Sequence, residues 1–399
     1  MPREGRRVVV TGLGVVGPCG IGREAFWQGL LGPAPEGNRE VHDFDPTVWI
    51  GPKEARRTDR FAQMAIGAAE MALEQSGQVG ADPDRSGVII ATGVGGLHTL
   101  EEQIIVRHEK GEKRVSPFLV PMMMANAGAA SVSMRFGWRG PCETIVTACA
   151  AATQAIGYAT RLIQWGICDA VMTGGSESSI TPTAMGGFGN MTALSPERLS
   201  RPFDKDRNGF VIAEGAAVLV LEERESAIAR GATILGELLG SGSTADAHHI
   251  TAPSPDGSGA VRAMELAIAD AGLQASDIKQ INAHGTSTPL NDAAEAEAIS
   301  KVFGSPGPPV TSTKGITGHA LGAAGALEAA AVLLSMEHRQ IPPTAGTTNV
   351  DPDITIDVVV GGPRDWEPGP TLSNSFGFGG HNGCIVIGPP AAGDGVGPA

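Results

Sequence analysis

Aromatic side chains, charged side chains and uninterrupted apolar runs are all scarce in this sequence of 399 residues. Aromatic residues make up 4% of the chain and charged residues 18%, whereas hydrophobic residues make up 42%. This balance is typical of a globular protein and excludes a disordered one. A glycine, a proline or a charge interrupts every longer apolar stretch, so no segment reaches membrane-spanning length. The apolar run that follows the basic first residues is too short for a signal-peptide core. We therefore expect a cytoplasmic protein without membrane insertion.

Paired cysteines are also missing. The five cysteines show no CxxC spacing and are odd in number, which is typical of reduced thiols; they are Cys19, Cys142, Cys149, Cys168 and Cys384. An HExxH motif is absent as well, so the sequence predicts no metal site. The formal net charge of -14 argues against nucleic-acid binding. It also means that an acidic partner could dock only on a local basic patch.

Strand-like and helical segments alternate along the chain, which predicts an α/β layered fold. In the first part, the predicted strands are 7–11, 87–92, 143–147, 170–173 and 216–222, and the predicted helices are 60–76 and 151–165. In the second part, the predicted strands are 234–241, 278–282 and 309–313, and the predicted helices are 259–272 and 322–338.

This second series repeats the theme of the first, and the turn after Thr313 takes the place that Cys149 has in the first half. The pattern indicates duplicated halves, residues 1–230 and 231–388, with an active site where they meet. The tail, 389–399, is rich in Pro, Gly and Ala, and we expect it to be disordered.

Cys149 is the most informative cysteine because it lies between a strand-like run and a helical run of small residues. A thiol at a helix N-terminus feels the positive end of the helix dipole, so we expect a lowered pKa and a reactive thiolate. Thiolates attack thioester carbonyls and form acyl-enzymes. The alternative is a buried apolar cysteine without chemistry, which is the commoner role of a free cysteine.

Two histidines lie in glycine-rich turns, His284 in NAHGTSTP (282–289) and His319 in KGITGHALG (314–322). Both are expected directly after a strand, where open α/β sheets carry catalytic groups. Each could instead be a loop histidine bonded to neighbouring backbone, and a Cys/His/His metal site is a third interpretation that only the residue types support.

Lys314 and Glu328 lie in apolar, small-residue surroundings, where an unpaired charge is costly to bury. They could be ordinary surface charges, or a buried pair that orients the histidines. The loop NSFGFGGHNG (374–383) precedes the last predicted strand. It could present backbone N–H groups to an oxyanion, or it could be a tight β-turn.

Taken together, these segments resemble one family, the β-ketoacyl-acyl-carrier-protein synthases of the elongating type (the KAS I/II group, closest to KAS II) in the thiolase superfamily. The resemblance extends from residue 7 to about residue 388 and is specific because seven motifs occur in order. They are VTGLG at 10–14, TACA at 147–150, GGSE at 174–177, SRPFDKDR at 200–207, HGTSTP at 284–289, KGITGH at 314–319 and NSFGFGG at 374–380.

The resemblance implies a thiolase-like duplicated fold of five αβαβα layers with two mixed sheets. It implies that Cys149 takes the acyl chain, that His284 and His319 promote malonyl decarboxylation and stabilise the enolate, and that Lys314 and Glu328 support the histidines. The reaction would be decarboxylative Claisen condensation of the acyl-enzyme with malonyl-acyl-carrier-protein. No cofactor would be needed, since the carrier protein supplies the phosphopantetheine arm.

The same resemblance assigns substrate contacts. The backbone N–H groups of Cys149 and Phe378 would form the oxyanion hole, and Phe378 would also gate the acyl pocket. Thr286 and Thr288 would touch the pantetheine arm. Val94 would set the depth of the acyl pocket, and Phe376 is a further substrate-binding residue.

The implied partners are an acyl carrier protein, acyl and malonyl thioesters, and a second copy of the chain, paired through strand 143–147. The basic residues in family-like docking positions are Lys53, Arg56, Arg57, Lys113 and Arg114. Taken alone, these clusters could equally be solvated charged turns.

Three positions depart from the family pattern: Asn208 stands for the usual Asp, Ala213 for Gly and His381 for Thr. They leave acyl-chain preference and pathway open. A ketosynthase of a polyketide or other specialised pathway is therefore the main alternative. A chain-length-factor-like subunit would lack the thiol of Cys149, and a degradative thiolase would use a second catalytic cysteine near the C-terminus.

Overall fold

A computed structural model describes residues 5–77, 79–391 and 393. The strands in this part of the chain are β1 (Val8–Gly17), β2 (Gly20–Ile21), β3 (Ser86–Ala91), β4 (Cys142–Glu143), β5 (Ala170–Glu177), β6 (Gly215–Glu223), β7 (Gly236–Ala245), β8 (Gln280–Asn282), β9 (Val310–Thr311), β10 (Gln340–Ile341), β11 (Arg364–Asp365), β12 (Thr371–Gly377) and β13 (His381–Gly388). The helices are α1 (Arg23–Leu30), α2 (Pro52–Ala55), α3 (Arg60–Ser76), α4 (Leu97–Lys110), α5 (Leu119–Met123), α6 (Ala127–Phe136), α7 (Ala151–Gln164), α8 (Pro182–Asn190), α9 (Arg224–Ala229), α10 (Ser258–Asp270), α11 (Pro289–Phe303), α12 (Lys314–Thr317) and α13 (Ala324–His338).

The main sheet consists of two mixed halves joined edge to edge. The first half has the order β4-β3-β5-β6-β1, with β2 paired to β1, and the second has the order β7-β13-β12-β8-β9. Strands β1 and β7 join them through a short antiparallel pairing at Val9 and Val10. The two mixed sheets implied by the resemblance are therefore present, and they are hydrogen-bonded into one.

Five layers follow from the way the helices cover this sheet. Helices α3 and α6 pack on the outer face of the first half, and α10 and α11 pack on the outer face of the second half. Helices α7 and α13 lie between the two halves, in a core to which both contribute strands. The αβαβα arrangement is confirmed.

The sequence of α13 explains why it occupies the middle layer. Nearly every residue of AGALEAAAVLLSMEH is buried, because the helix is apolar on all sides. Small residues let it approach α7 closely: a Cβ on Gly325 would lie 2.1 Å from Oγ1 of Thr153. Glu328 is enclosed in this helix and must find a partner there.

The duplication is visible in the local geometry of the two central helices. Helix α7 follows a 3₁₀ turn at Ala148–Ala150, and α13 follows one at Leu321–Ala323. The first residue of each turn has a left-handed backbone, with φ of +50° at Ala148 and +44° at Leu321. Cys149 therefore corresponds to Gly322, a position somewhat later than the turn after Thr313 that the sequence indicated.

Most predicted elements are found within a few residues of their predicted limits, and the helix at 60–76 is confirmed. The predicted strand 143–147 is wrong beyond Glu143. Strand β4 is an edge strand, and past Glu143 only one backbone bond to its neighbour, from Thr92 N–H to the Ile145 carbonyl, continues the ladder. The chain then turns towards Cys149.

The division into halves near residue 230 stays a prediction. Within the predicted tail, residues 392 and 394–399 lie outside the described residues. In the part of the chain that is described, no helix combines the length and apolar character required to cross a bilayer.

Candidate active site

The thiol of Cys149 is presented by the left-handed turn that begins at Ala148 and runs into α7. Its side chain is buried, and only the loop after β12 passes close to its backbone. That approach requires glycine at 377, because a Cβ there would lie 3.0 Å from the Cys149 nitrogen. The prediction of a cysteine at a helix start is confirmed.

His284 follows β8 and is held from behind by a buried carboxylate on α11. Glu295 accepts hydrogen bonds from the backbone N–H groups of His284 and Gly285, both at 2.7 Å. Burial raises the pKa of Glu295 to about 7, against the lowering effect of these two bonds. The contacts fix the turn that carries the imidazole.

His319 does not directly follow a strand, so that expectation is wrong. The glycine turn after β9 winds into the four-residue helix α12, and His319 comes after its end. Its backbone is pinned to the segment before β6, donating to the Val211 carbonyl at 2.7 Å and accepting from the Ala213 N–H at 3.0 Å. These bonds aim its ring at the thiol.

The three reactive side chains meet in the buried space between the halves. Nε2 of His319 lies 3.0 Å from Sγ of Cys149. The rings of His284 and His319 are 5.2 Å apart and nearly perpendicular. One donor atom from each of the three residues lies within 4.8 Å of the others, so the set could also hold a metal ion.

Lys314 and Glu328 form the buried ion pair that the sequence predicted. The ammonium group of Lys314 also donates to the His284 carbonyl at 2.6 Å and lies 3.4 Å from Nδ1 of His284. An ammonium group can only donate, so Nδ1 is an acceptor and the neutral ring carries its proton on Nε2. Lys314 thereby makes His284 a hydrogen-bond donor towards the cavity.

The expected lowering of the thiol pKa is wrong. Burial raises the pKa of Cys149 to about 11, although the Phe378 N–H and the charge of Lys314 act in the opposite direction. Burial and the charge of Lys314 also hold the pKa values of both imidazoles well below the usual 6.5. The resting site therefore contains a neutral thiol and two neutral imidazoles at pH 7.

The predicted substrate-contact residues surround one cavity of about 470 Å³. Val94 lies on one wall with Phe188 and Phe210, and Thr286 and Thr288 lie on another. Phe376 and Phe378 complete the lining beside Cys149, and the Phe378 N–H points at Sγ. The site thus has an apolar side and a polar side, with the thiol between them.

The predicted docking residues lie apart from this cavity, on the surface. Lys53, Arg56, Arg57, Lys113 and Arg114 are all exposed. The guanidinium group of Arg57 stacks over the ring of Phe118, 4.5 Å from its centre, which brings the two basic segments side by side.

The three unusual positions have defined contacts. Asn208 donates to Glu197 and accepts from Ser195, at the edge of the site. Ala213 is buried beside Gly318 and holds the His319 carbonyl. His381 begins β13, next to the glycine loop.

Sequence reasoning missed several buried acids that support the site. Asp292 accepts from the N–H groups of Thr286 and Ser287, and Glu177 accepts from those of Gly93 and Gly322. The signal was available, because acidic residues such as Glu295 interrupt alanine-rich stretches like the one in α11. The backbone groups that they bind could not be identified from the sequence.

Comparison with known proteins agrees with this geometry. The family description "Beta-ketoacyl synthase, N-terminal domain" matches residues 34–227, and "Beta-ketoacyl synthase, C-terminal domain" matches residues 235–348. The chain belongs to the β-ketoacyl synthase family. It is 46% identical, over 96% of its length and 98% of the relative, to a protein of Synechocystis sp. named 3-oxoacyl-(acyl-carrier-protein) synthase 2.

Solved ketosynthase structures have the same fold. The ishigamide ketosynthase/chain length factor matches with a TM-score of 0.91 and 34% identity, over 97% of this chain and 100% of the other. A type II polyketide ketosynthase, solved in complex with its acyl-carrier protein, matches with a TM-score of 0.89 and 33% identity, over 98% and 100%.

Two alternative functions disagree with the site of this β-ketoacyl synthase. A thiolase would need a second cysteine in the cavity, but Cys384 is buried in β13 and donates to Oδ1 of Asn374. A subunit without catalysis would have no use for a thiol 3.0 Å from an imidazole.

The raised thiol pKa predicts an unusual pH dependence. We expect the rate of Cys149 alkylation by iodoacetamide to rise between about pH 7 and pH 9.5, because the thiolate fraction grows roughly tenfold per pH unit below the pKa. The measurement is peptide mapping by mass spectrometry, which separates Cys149 from the exposed Cys142. A rate that becomes constant below about pH 8 would show that the pKa is lowered instead.

Proposed function

We propose that this protein is an elongating β-ketoacyl-acyl-carrier-protein synthase of fatty acid synthesis. It would condense an acyl-enzyme with malonyl-acyl-carrier-protein and release 3-oxoacyl-acyl-carrier-protein, CO₂ and free carrier protein. The observation that carries this proposal is the contact of 3.0 Å between Nε2 of His319 and Sγ of Cys149, beside a second imidazole, in a buried cavity.

In the first step, Sγ of Cys149 attacks the carbonyl carbon of the acyl thioester. Because burial keeps the thiol protonated, its proton passes to Nε2 of His319 as the new C–S bond forms. The carbonyl oxygen becomes negative and accepts hydrogen bonds from the N–H groups of Cys149 and Phe378. The pantetheine sulfur then leaves with the proton, and the acyl chain stays on Cys149.

In the second step, the malonyl thioester loses CO₂. The electron pair of the broken C–C bond becomes an enolate, whose oxygen needs hydrogen-bond donors. His284 offers Nε2–H because Lys314 occupies its Nδ1 side. His319 lies beside it as the second imidazole. Neutral rings suit this role, since an imidazolium would protonate the carbanion carbon in competition with condensation.

In the third step, the enolate carbon attacks the acyl carbon on Cys149. The tetrahedral oxyanion uses the same two N–H donors and collapses with loss of the thiolate, which recovers a proton. Nucleophile, enolate stabilisers and oxyanion hole account for the whole reaction. We therefore propose that no cofactor and no metal ion take part, and that the only prosthetic arm is the phosphopantetheine of the carrier protein.

A polyketide or other specialised ketosynthase is the second candidate. The solved structures described above favour it, while the Synechocystis relative favours fatty acid elongation. Both candidates use the same three residues, so the range of acyl chains accepted separates them. We also propose a cytoplasmic homodimer. The exposed edge strand β4 and exposed apolar side chains such as Val146 and Val120 support a partner on that side.

Replacing Cys149 tests the division of labour in this mechanism. We expect Cys149→Ala to abolish acyl loading and condensation while some malonyl decarboxylation remains, because both imidazoles are still present. His284→Ala should keep acyl loading but lower condensation roughly 10²- to 10⁴-fold, the usual contribution of a positioned acid–base group. The measurements are intact mass for loading, CO₂ release for decarboxylation and product analysis for condensation.

Matched controls exist for both variants. Cys168→Ala removes a buried thiol outside the cavity, and His338→Ala removes a ring that stacks on Trp27. Both should condense at wild-type rates. Condensation by Cys149→Ala would refute the proposed function, and a wild-type rate in His284→Ala would return that histidine to a structural role.

Val94 should control acyl-chain length. Val94→Phe fills part of the apolar side of the cavity, so we expect loading to shift towards short acyl groups. Each methylene excluded from an apolar pocket costs about 0.8 kcal/mol, so loss of room for two would lower long-chain loading roughly tenfold. Competition among acyl-carrier-protein thioesters, read by intact mass, measures this. Val94→Ile should change little, and an unchanged profile in Val94→Phe would remove Val94 from the pocket wall.

Reversing Arg56 and Arg57 to Glu should weaken docking of an acidic carrier protein. Local charge complementarity mainly raises the association rate, so we expect a higher KM for carrier-protein substrates and a steep salt dependence in the wild type. Small N-acetylcysteamine thioesters should react normally. Reversing the exposed Lys279 and Arg139 gives the same charge change elsewhere. Equal impairment with both substrate types would mean that the arginines support the fold.

A further inference from the structure

Arg39 is a buried arginine that no part of the mechanism uses. Its side chain is 3% exposed and lies beneath α12, outside the lining of the cavity. Within the described residues, no carboxylate lies within ion-pair distance of its guanidinium group. Burial lowers its pKa to about 10, so the group is still charged at pH 7. A buried charge of this kind needs several hydrogen-bond partners.

The partners of Arg39 are all backbone carbonyls. Nε donates to the Ile316 carbonyl at 3.1 Å, and one terminal nitrogen donates to the Gly315 carbonyl at 3.3 Å. The terminal nitrogens also donate to the carbonyls of Pro35 and Gly37. One side chain thus ties the loop before β2's neighbouring helix bundle, residues 35–37, to helix α12.

The carbonyls of Gly315 and Ile316 need an external donor because α12 is only four residues long. Its single helical closure is the bond from the Gly318 N–H to the Lys314 carbonyl, at 3.1 Å. The later carbonyls have no helix beyond them to supply N–H groups. A cation at the C-terminal end of a helix also opposes the partial negative charge there.

Arg39 is also packed against the residue that precedes His319. A Cβ on Gly318, whose φ is +64°, would lie 2.6 Å from Cγ of Arg39. The backbone of Arg39 is fixed at the same time, since its N–H donates to Ile212 and its carbonyl accepts from Glu214, each at 3.0 Å. The guanidinium group therefore sits on a rigid support under the turn.

We propose that Arg39 is a positioning residue, which holds the turn 314–319 so that Lys314 reaches His284 and His319 reaches the thiol. Lys314 begins this turn and His319 ends it, with the two carbonyls bound by Arg39 between them. Loss of the guanidinium group would leave these carbonyls buried without donors, and the turn would move to satisfy them. Its effect on catalysis rests on the proposed function, but its effect on the thiol–imidazole contact does not.

The test compares Arg39→Met, which removes the donors, with Arg39→Lys, which retains the charge and part of the donor capacity. We expect Arg39→Met to lower kcat for condensation roughly 10- to 100-fold, because a small misplacement of catalytic groups has effects of that size. KM for the carrier-protein substrate should change little, since docking is untouched. Arg39→Lys should lie between Arg39→Met and the wild type.

Arg230→Met is the matched control. Arg230 is another largely buried arginine, bonded to Glu222 and Ser76 on the far side of the first half-sheet. It should lose thermal stability and keep its kcat. If folded Arg39→Met has the wild-type kcat, or if Arg230→Met loses as much, the positioning role is overturned. If Arg39→Met does not fold, a wild-type kcat in Arg39→Lys overturns it.

A second readout separates this proposal from the proposed function. We expect alkylation of Cys149 by iodoacetamide at pH 7 to be roughly tenfold slower in folded Arg39 variants, because His319 no longer faces the thiol. An unchanged alkylation rate would overturn the positioning role. Absence of condensation by the wild type, with slowed alkylation in Arg39→Met, would overturn the proposed function and support Arg39.

Discussion

The ammonium group of Lys314 is the constraint on which the rest of the site depends. It is buried, so it must be paired, and Glu328 supplies the charge from the middle of α13. Breaking such a pair by removing one partner costs about 3 to 5 kcal/mol, since the remaining charge is left in an apolar interior. The remaining donors of Lys314 then have only His284 to bind, through its carbonyl and Nδ1. One buried charge thereby fixes the position and the tautomer of a catalytic imidazole.

The layered fold explains why this pair can exist. Helices of small residues let two half-sheets approach a shared middle layer, and the reactive groups come from both halves: Cys149 from the first, His284 and His319 from the second. The left-handed turn repeats at Ala148 and at Leu321, but only the first carries a thiol. Gly322, which stands in the corresponding place, allows that turn to pack on Gly93. The duplicated architecture thus supplies one nucleophile and one supporting turn.

Burial has opposite consequences for the groups of this site. It raises the pKa of Cys149 and lowers the pKa values of His284 and His319, so that the resting site is uncharged apart from the Lys314–Glu328 pair. A protonated thiol next to a neutral imidazole releases its proton only as a substrate carbonyl is attacked. This arrangement protects the nucleophile between turnovers, because reaction with oxidants and alkylating agents requires the thiolate.

The sequence was sufficient for the alternation of strands and helices, the duplication, the thiol at a helix start and the paired Lys314 and Glu328. Those features follow from periodicity, small-residue composition and the cost of burying charge. It was insufficient for the thiol pKa, because exposure depends on the loop after β12, which folds back from far along the chain. It was also insufficient for Arg39, Asp292 and Glu295, whose partners are backbone groups and leave no residue pattern.

The most direct test of the central claim is a single turnover in two stages. The protein is first mixed with one equivalent of acyl-carrier-protein thioester, and the modified peptide is identified by mass spectrometry; malonyl-acyl-carrier-protein is then added. Our account predicts that the acyl group appears on Cys149, then leaves it and is recovered on the second carrier protein as a 3-oxoacyl chain longer by one acetyl unit, with one CO₂ released. Acylation of a different residue, or release of the chain as a free acid without condensation, would contradict it.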